Sequence, residues 1–272
     1  MTDRRTVAAV GILAFALVAT AVALPSIAAG VPANRVPVTD MSGEGANLAS
    51  PTADAWEKVE STEVPLASAP SGLPNAGSVS TDVVTVETAR TESELYVRMH
   101  WRDDTKNASS DAPTEFADGA AIQVPVNATA QPDIALGSQG TPVNVWYWSA
   151  DTGAEEILAG GQGTITTMDD TVVETKAVHQ DGTWTVVMHR SLTADGENRA
   201  SLAVDSDVDV AFAVWNGANA ERSGHHAVSE WFTFPFGPGD TGPAFQYLLW
   251  ALAGIAIAVA LVITVRAVRG SR

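Results

Sequence analysis

The sequence predicts an all-β fold, an immunoglobulin-like antiparallel β-sandwich, on three observations. Between two apolar ends it carries a series of short runs that alternate apolar and polar residues. Gly, Pro, Asp and Asn punctuate those runs, and no central stretch holds the apolar period of a helix. Many short strands at such spacing bury their apolar faces best as two stacked sheets.

Taken in order, residues 1–30 read as an export signal or N-terminal anchor. Arg4 and Arg5 precede an uncharged stretch over 6–34, with small residues around 26–29. The main domain is expected over 31–236, as one β-sandwich. Its first part, "VPVTDMSGEGANLASPTADAWEKVESTEVPL", has few apolar residues before Trp56 and is expected to pack along the sandwich as an extended arm.

"VVTVETA" (83–89) and "LYVRMHW" (95–101) alternate on either side of the polar "RTESE", as an antiparallel hairpin requires. In the second run Leu95, Val97, Met99 and Trp101 share one face and Tyr96, Arg98 and His100 the other, so the first face is expected to be buried. "GAAIQVPV", "PVNVWYW", "GTITTM", "TVVETKAV", "TWTVVMHRSL" and "VDVAFAVW" continue the pattern. A Gly/Pro-rich tether follows at 237–243, then a transmembrane helix at 244–266 and a basic cytoplasmic tail at 267–272. No charge occurs over 241–265, which exceeds the roughly 20 apolar residues that cross a bilayer. Arg266, Arg269 and Arg272 should stay inside, which puts the main domain outside the cell.

The 32 acidic side chains outnumber the 15 basic ones, giving a net charge of −17, and the only lysines are Lys58, Lys106 and Lys176. Such a surface repels nucleic acid and anionic lipid. It suits a halophilic source, where salt screens the self-repulsion. The absence of cysteine excludes disulfides, thiolate metal sites, iron–sulfur ligation and covalent c-type haem attachment.

No hydrolase, phosphate-loop or dinucleotide motif occurs, so the five histidines, His100, His179, His189, His225 and His226, are the strong neutral-nitrogen donors. Neighbouring residues on a strand face opposite ways, so only one of His225 and His226 can enter an interior; parity with Val228, Phe232 and Phe234 favours His226. On spacing alone, a hydrogen-bonded structural histidine is the competing reading.

Order along the chain adds a resemblance. The series "AWEKVESTEVPL", "LYVRMHWRDDT", "EFADGAAIQVPV", "PDIALGSQGTPVNVWYW" and "VAFAVWNGANAERSGHHAVSEW", in this order, resembles the haem b-binding gamma subunits of type II molybdoenzymes. That group includes the gamma subunits of ethylbenzene dehydrogenase, dimethylsulfide dehydrogenase, and chlorate and selenate reductases. The likeness spans about 36–234.

The resemblance implies a β-sandwich with one haem b between its sheets, held by an axial methionine and lysine. It implies electron transfer rather than catalysis, with a molybdopterin catalytic subunit and an iron–sulfur subunit as partners and nitrate, chlorate or dimethyl sulfoxide as the partner's substrate. His226 stands at the lysine position, and imidazole is a coherent substitute because it binds iron when neutral.

A Met-Gly pair of the family is matched by Leu136-Gly137, and leucine cannot bind iron. Met99 is the substitute expected, with Met188 and His189 next; core filling is the other reading of Met99. Arg222 either pairs with a haem propionate or is a loop arginine. Trp101, Trp146, Trp148, Trp215 and Trp231 either wall a haem pocket or fill the sandwich core. The competing function is a haem-free sandwich tethered to the cell surface for carbohydrate recognition or complex assembly.

Overall fold

In the computed structural model the described residues are 34–236, without 44–46, 72–76, 128–130, 135, 162, 194–195, 197 and 203–205, and with Trp250 added. The expected export segment, tether, transmembrane helix and basic tail lie outside them, Trp250 apart. No helix among the described residues is long and apolar enough to cross a membrane.

Strands in chain order are β1 (Val38–Asp40), β2 (Ser61–Pro65), β3 (Ala67–Ser68), β4 (Val83–Arg90), β5 (Glu94–Arg102), β6 (Gly119–Pro125) and β7 (Val143–Ser149). They continue with β8 (Gly153–Ala159), β9 (Ile165–Thr167), β10 (Glu174–Gln180), β11 (Thr183–Ser191), β12 (Val208–Trp215), β13 (Ala227–Val228) and β14 (Phe232–Phe234). A first sheet runs β1-β4-β5-β11-β10, with β2 also on β4; a second runs β3-β13-β12-β6-β7-β8-β9, with β14 on β12. Pairings are antiparallel except β1 with β4. No α-helix occurs within the described part of 34–236.

The expected β4–β5 hairpin is present, with Val86 opposite Met99 and Thr88 opposite Val97. Leu95, Val97, Met99 and Trp101 are buried and pack, across the gap between the sheets, on Ile122, Trp146, Trp148, Phe212 and Val214. The opposite face of the first sheet is covered by the arm. There Trp56, Met41 and Leu48 pack on Ala89 and Val187, and Arg98 lies 5.0 Å from the Trp56 ring while pairing with buried Glu87. The arm therefore hides a sheet face that alternation alone assigns to solvent.

Strand β8 was not legible as a strand. "GAEEILA" is rich in good helix formers, and its inward Glu156 looks misplaced in a sandwich. Glu156 is satisfied there: it accepts from Asn144 Nδ2 at 3.0 Å and pairs with Arg199 Nε at 3.0 Å. Asn144 in turn accepts from Trp146 Nε1 at 2.9 Å, so a polar chain substitutes for apolar packing at this end of the core.

Candidate functional site

The space between the sheets is full. Three of the five tryptophans named from the sequence, Trp101, Trp146 and Trp148, are core there. His226 lies outside that packed layer, in the wall of a cavity. The cavity lies on the outer face of the second sheet, because the strands alternate: Ala120, Ile122 and Val124 point into the sandwich, whereas Ala121 and Gln123 line the cavity.

Its volume is about 520 Å3. Small residues make the floor. Ala213 pairs directly with Ala121, and Ala211 with Gln123, on adjacent central strands. Alanine at these positions leaves room where the intervening positions carry Phe212 and Val214. Apolar side chains form the walls: Ile134 and Leu136 from the loop before β7, Ile157 from β8 and Ile165 from β9. Ile165 is 54% exposed, an apolar wall left open to solvent.

Leu136 reaches that wall through a strained turn. Its φ is 72°, left-handed for a residue with a bulky side chain, and Gly137 follows at 68°. Gly137 N donates to Asp133 O at 2.8 Å and Gly161 N to Leu136 O at 2.9 Å. A Cβ on Gly137 would sit 2.5 Å from Thr141 O, so the pair accepts glycine only at its second position.

His226 closes the side next to β12. It precedes β13, is 8% exposed and lines the cavity; its own carbonyl accepts from Ala69 N at 2.9 Å. Nδ1 donates to Ser223 O at 2.8 Å, which leaves Nε2 without a hydrogen-bond partner among the described residues. Its ring stacks on Trp215 at 4.4 Å between centroids. Burial pushes its pKa down to about 4, so the ring is neutral at ordinary pH.

The loop that presents it is tied down from below. Asn216 caps a 3-10 turn by accepting from Asn219 N at 3.2 Å. Gly217 N donates to buried Asp118 at 2.9 Å, and Phe116 O comes so close to Gly217 that no Cβ fits. Glu221 is 1% exposed and accepts from Ser80 N at 2.8 Å and Asn216 N at 3.0 Å. The "NGANAERSG" run is therefore a scaffold for the histidine two residues on.

Of the iron-ligand candidates expected from sequence, only His226 lines this cavity. Met99 and Met188 are fully buried between the sheets. His189 stacks on Tyr96 at 4.8 Å on the arm side. Arg222 adjoins cavity-lining Ser223, but its guanidinium lies 4.3 Å from the Phe116 ring and donates to Ala220 O at 3.0 Å. His225 turns away, its Nε2 3.3 Å from Ser78 O. Trp215 lines the cavity and Trp231 packs beside it, donating to Pro132 O at 3.0 Å. The parts missed from sequence were Glu221, Ser223 and the alanine floor. The floor had a signal, since Ala121, Ala211 and Ala213 share the parity opposite to the large core residues.

A family model described as Ethylbenzene dehydrogenase matches residues 53–168 and 163–227. The chain is 50% identical over 266 residues to a Haloferax mediterranei protein named a respiratory nitrate reductase heme subunit, ORF7, covering 98% of this chain and 96% of that one. It is 33% identical over 226 residues to the chlorate reductase subunit gamma of Ideonella dechloratans, with 82% and 94% covered. It is also 33% identical over 201 residues to the dimethylsulfide dehydrogenase subunit gamma of Rhodovulum sulfidophilum, with 70% and 75% covered.

Proposed function

This chain belongs to the ethylbenzene dehydrogenase family, and we propose that it is a haem b-carrying electron-transfer subunit of an extracytoplasmic molybdoenzyme. The single observation that carries the proposal is His226. It is a buried, neutral imidazole in the wall of an apolar cavity, with one nitrogen anchored by a carbonyl and the other unengaged among the described residues. An iron-ligating histidine needs that arrangement, because a hydrogen bond at one nitrogen fixes the tautomer and raises the basicity of the other.

The remaining residues fit the group as well. The volume falls in the range of roughly 300–1,000 Å3 common for cofactor sites. The floor of alanines accepts a flat ring edge, and the aliphatic walls offer it apolar contact. Haem b, when bound, supplies one-electron redox chemistry. His226 would hold the iron, Trp215 would fix the imidazole plane, and Arg222, adjacent to cavity-lining Ser223, would have to leave its Phe116 contact to meet a propionate. The relatives named as heme or gamma subunits support an electron-transfer role for this chain, with catalysis in a partner subunit.

The names of the relatives support a nitrate, chlorate or dimethylsulfide oxidoreductase as that partner. We assign the molybdopterin and iron–sulfur subunits as neighbours. The apolar segment 244–266 serves as the single membrane anchor, with the sandwich outside the cell.

The visible spectrum of the purified full-length chain tests this. A Soret band that shifts on reduction, and is lost in His226→Ala with the fold intact, is expected. A colourless, folded wild type would overturn the proposal in favour of a haem-free binding or scaffold module.

A further inference from the structure

We infer that this chain supplies haem iron with one axial ligand only, leaving the sixth position open to a small neutral ligand such as carbon monoxide or nitric oxide. The inference rests on the haem reading above and deepens it.

The strong iron donors among the described residues, His226 apart, all lie away from the cavity. Cysteine is absent, and the segments outside the described residues contain Met1 but no histidine, lysine or further methionine. Among the described residues, Met99 and Met188 are sealed between the sheets and Met41 lies under the arm. Met168 follows β9, its amide bonded to Glu156 O at 2.8 Å, with a parity opposite to that of cavity-lining Ile165.

The other histidines are spoken for elsewhere. His179 contacts Asp103 O at 2.8 Å, His189 stacks on Tyr96, and His225 is bonded to Ser78 O. His100 stands on β5 with the parity of Arg98, facing away from the core. Of the lysines, Lys58 sits in the 3-10 turn of the arm, Lys106 over Trp184 and Lys176 on β10.

The cavity also holds an oxygen donor, Tyr147. Burial raises its phenol pKa above the ordinary value, which keeps it protonated and a poor ligand for iron. What remains around the space is mostly carbon, from Ile134, Leu136, Ile157 and Ile165, together with Ser71, Ser223 and the Gln123 amide, whose Nε2 lies 3.5 Å from Ile134 O; neutral hydroxyls and amides are weak iron ligands. A sheet-bound Met99 would have to cross its own layer of core to reach the iron. A site with one nitrogen donor and aliphatic surroundings is built like those in which distal access decides whether iron binds exogenous ligands.

Three measurements on the haem-loaded full-length chain test the inference. The ferric spectrum and EPR are expected to be high-spin, the ferrous form to bind carbon monoxide with a shifted Soret band, and Met99→Leu to leave both unchanged. Low-spin ferric haem that refuses carbon monoxide would overturn the inference while leaving the haem reading intact. A low-spin spectrum that becomes high-spin in Met99→Leu would overturn it and assign Met99. A protein that takes up no haem overturns both.

Discussion

The Ser223 carbonyl accepts from His226 Nδ1 at 2.8 Å and from Trp215 Nε1 at 3.2 Å, and the two rings stack face to face, 28° from coplanar. One carbonyl and one stacking contact together fix the height and the rotation of the imidazole. Ser223 is left-handed, with φ of 50°, which is how a tight loop aims its carbonyl back at both rings. Tyr147 braces the indole edge-on at 5.4 Å.

Trp215→Leu removes the stack and one hydrogen bond while keeping the donor nitrogen. Together these contribute about 1–2 kcal/mol, so haem should leave the protein about tenfold faster. Transfer of haem to an excess of a haem-free globin measures that rate. An unchanged rate would mean that the indole does not position His226.

Ala213→Leu builds a side chain upward from the cavity floor. Because the added atoms enter open space rather than the packed core, stability should change by about 1 kcal/mol or less. Haem uptake, read from the Soret absorbance, should nevertheless fail. A variant that melts like the wild type and still binds haem would put the cofactor elsewhere.

The pH dependence of the haem-free protein follows from His226. Its pKa is pushed down to about 4 by burial, with Glu221 opposing and His225 reinforcing the shift. An unfolded histidine titrates near 6.5, so between about 6.5 and about 4 the unfolded chain carries the extra proton and stability falls as the pH falls. The loss is on the order of 3 kcal/mol. Denaturant melts of wild type and His226→Phe isolate it: the difference between them should steepen across that window and flatten below it. A constant difference would show that the imidazole is accessible to protons when folded.

Arg98→Met tests the arm. Glu87 is 5% exposed, and Arg98 also donates to Pro51 O at 3.1 Å. Leaving that carboxylate unpaired should cost about 3 kcal/mol, far more than a surface pair, and urea unfolding would register it. A cost below about 1 kcal/mol would mean that the arm is held by Trp56 packing alone.

Most of the sandwich was written in alternation. The β5 face of Leu95, Val97, Met99 and Trp101 is buried as its period requires. What alternation could not say is which outer face is covered, and by what. Both are covered here, one by the arm with Trp56 and the other by the loops carrying Leu136 and Ser223, and such coverage depends on distant segments. His226 was legible through its parity with Val228, but that parity breaks before β14: Val228 faces the cavity side while Phe232 and Phe234 turn into the core. Strand β8 was not among the expected strands because Arg199, the partner that makes its inward Glu156 tolerable, lies 43 residues away.

The most direct measurement is pulsed EPR of the ferric, haem-loaded chain grown with 15N-histidine. A single histidine nitrogen coupled to iron, absent in His226→Gly, is the expected result. A spectrum without that coupling, or one that keeps it in His226→Gly, would contradict the assignment of His226 as the iron ligand.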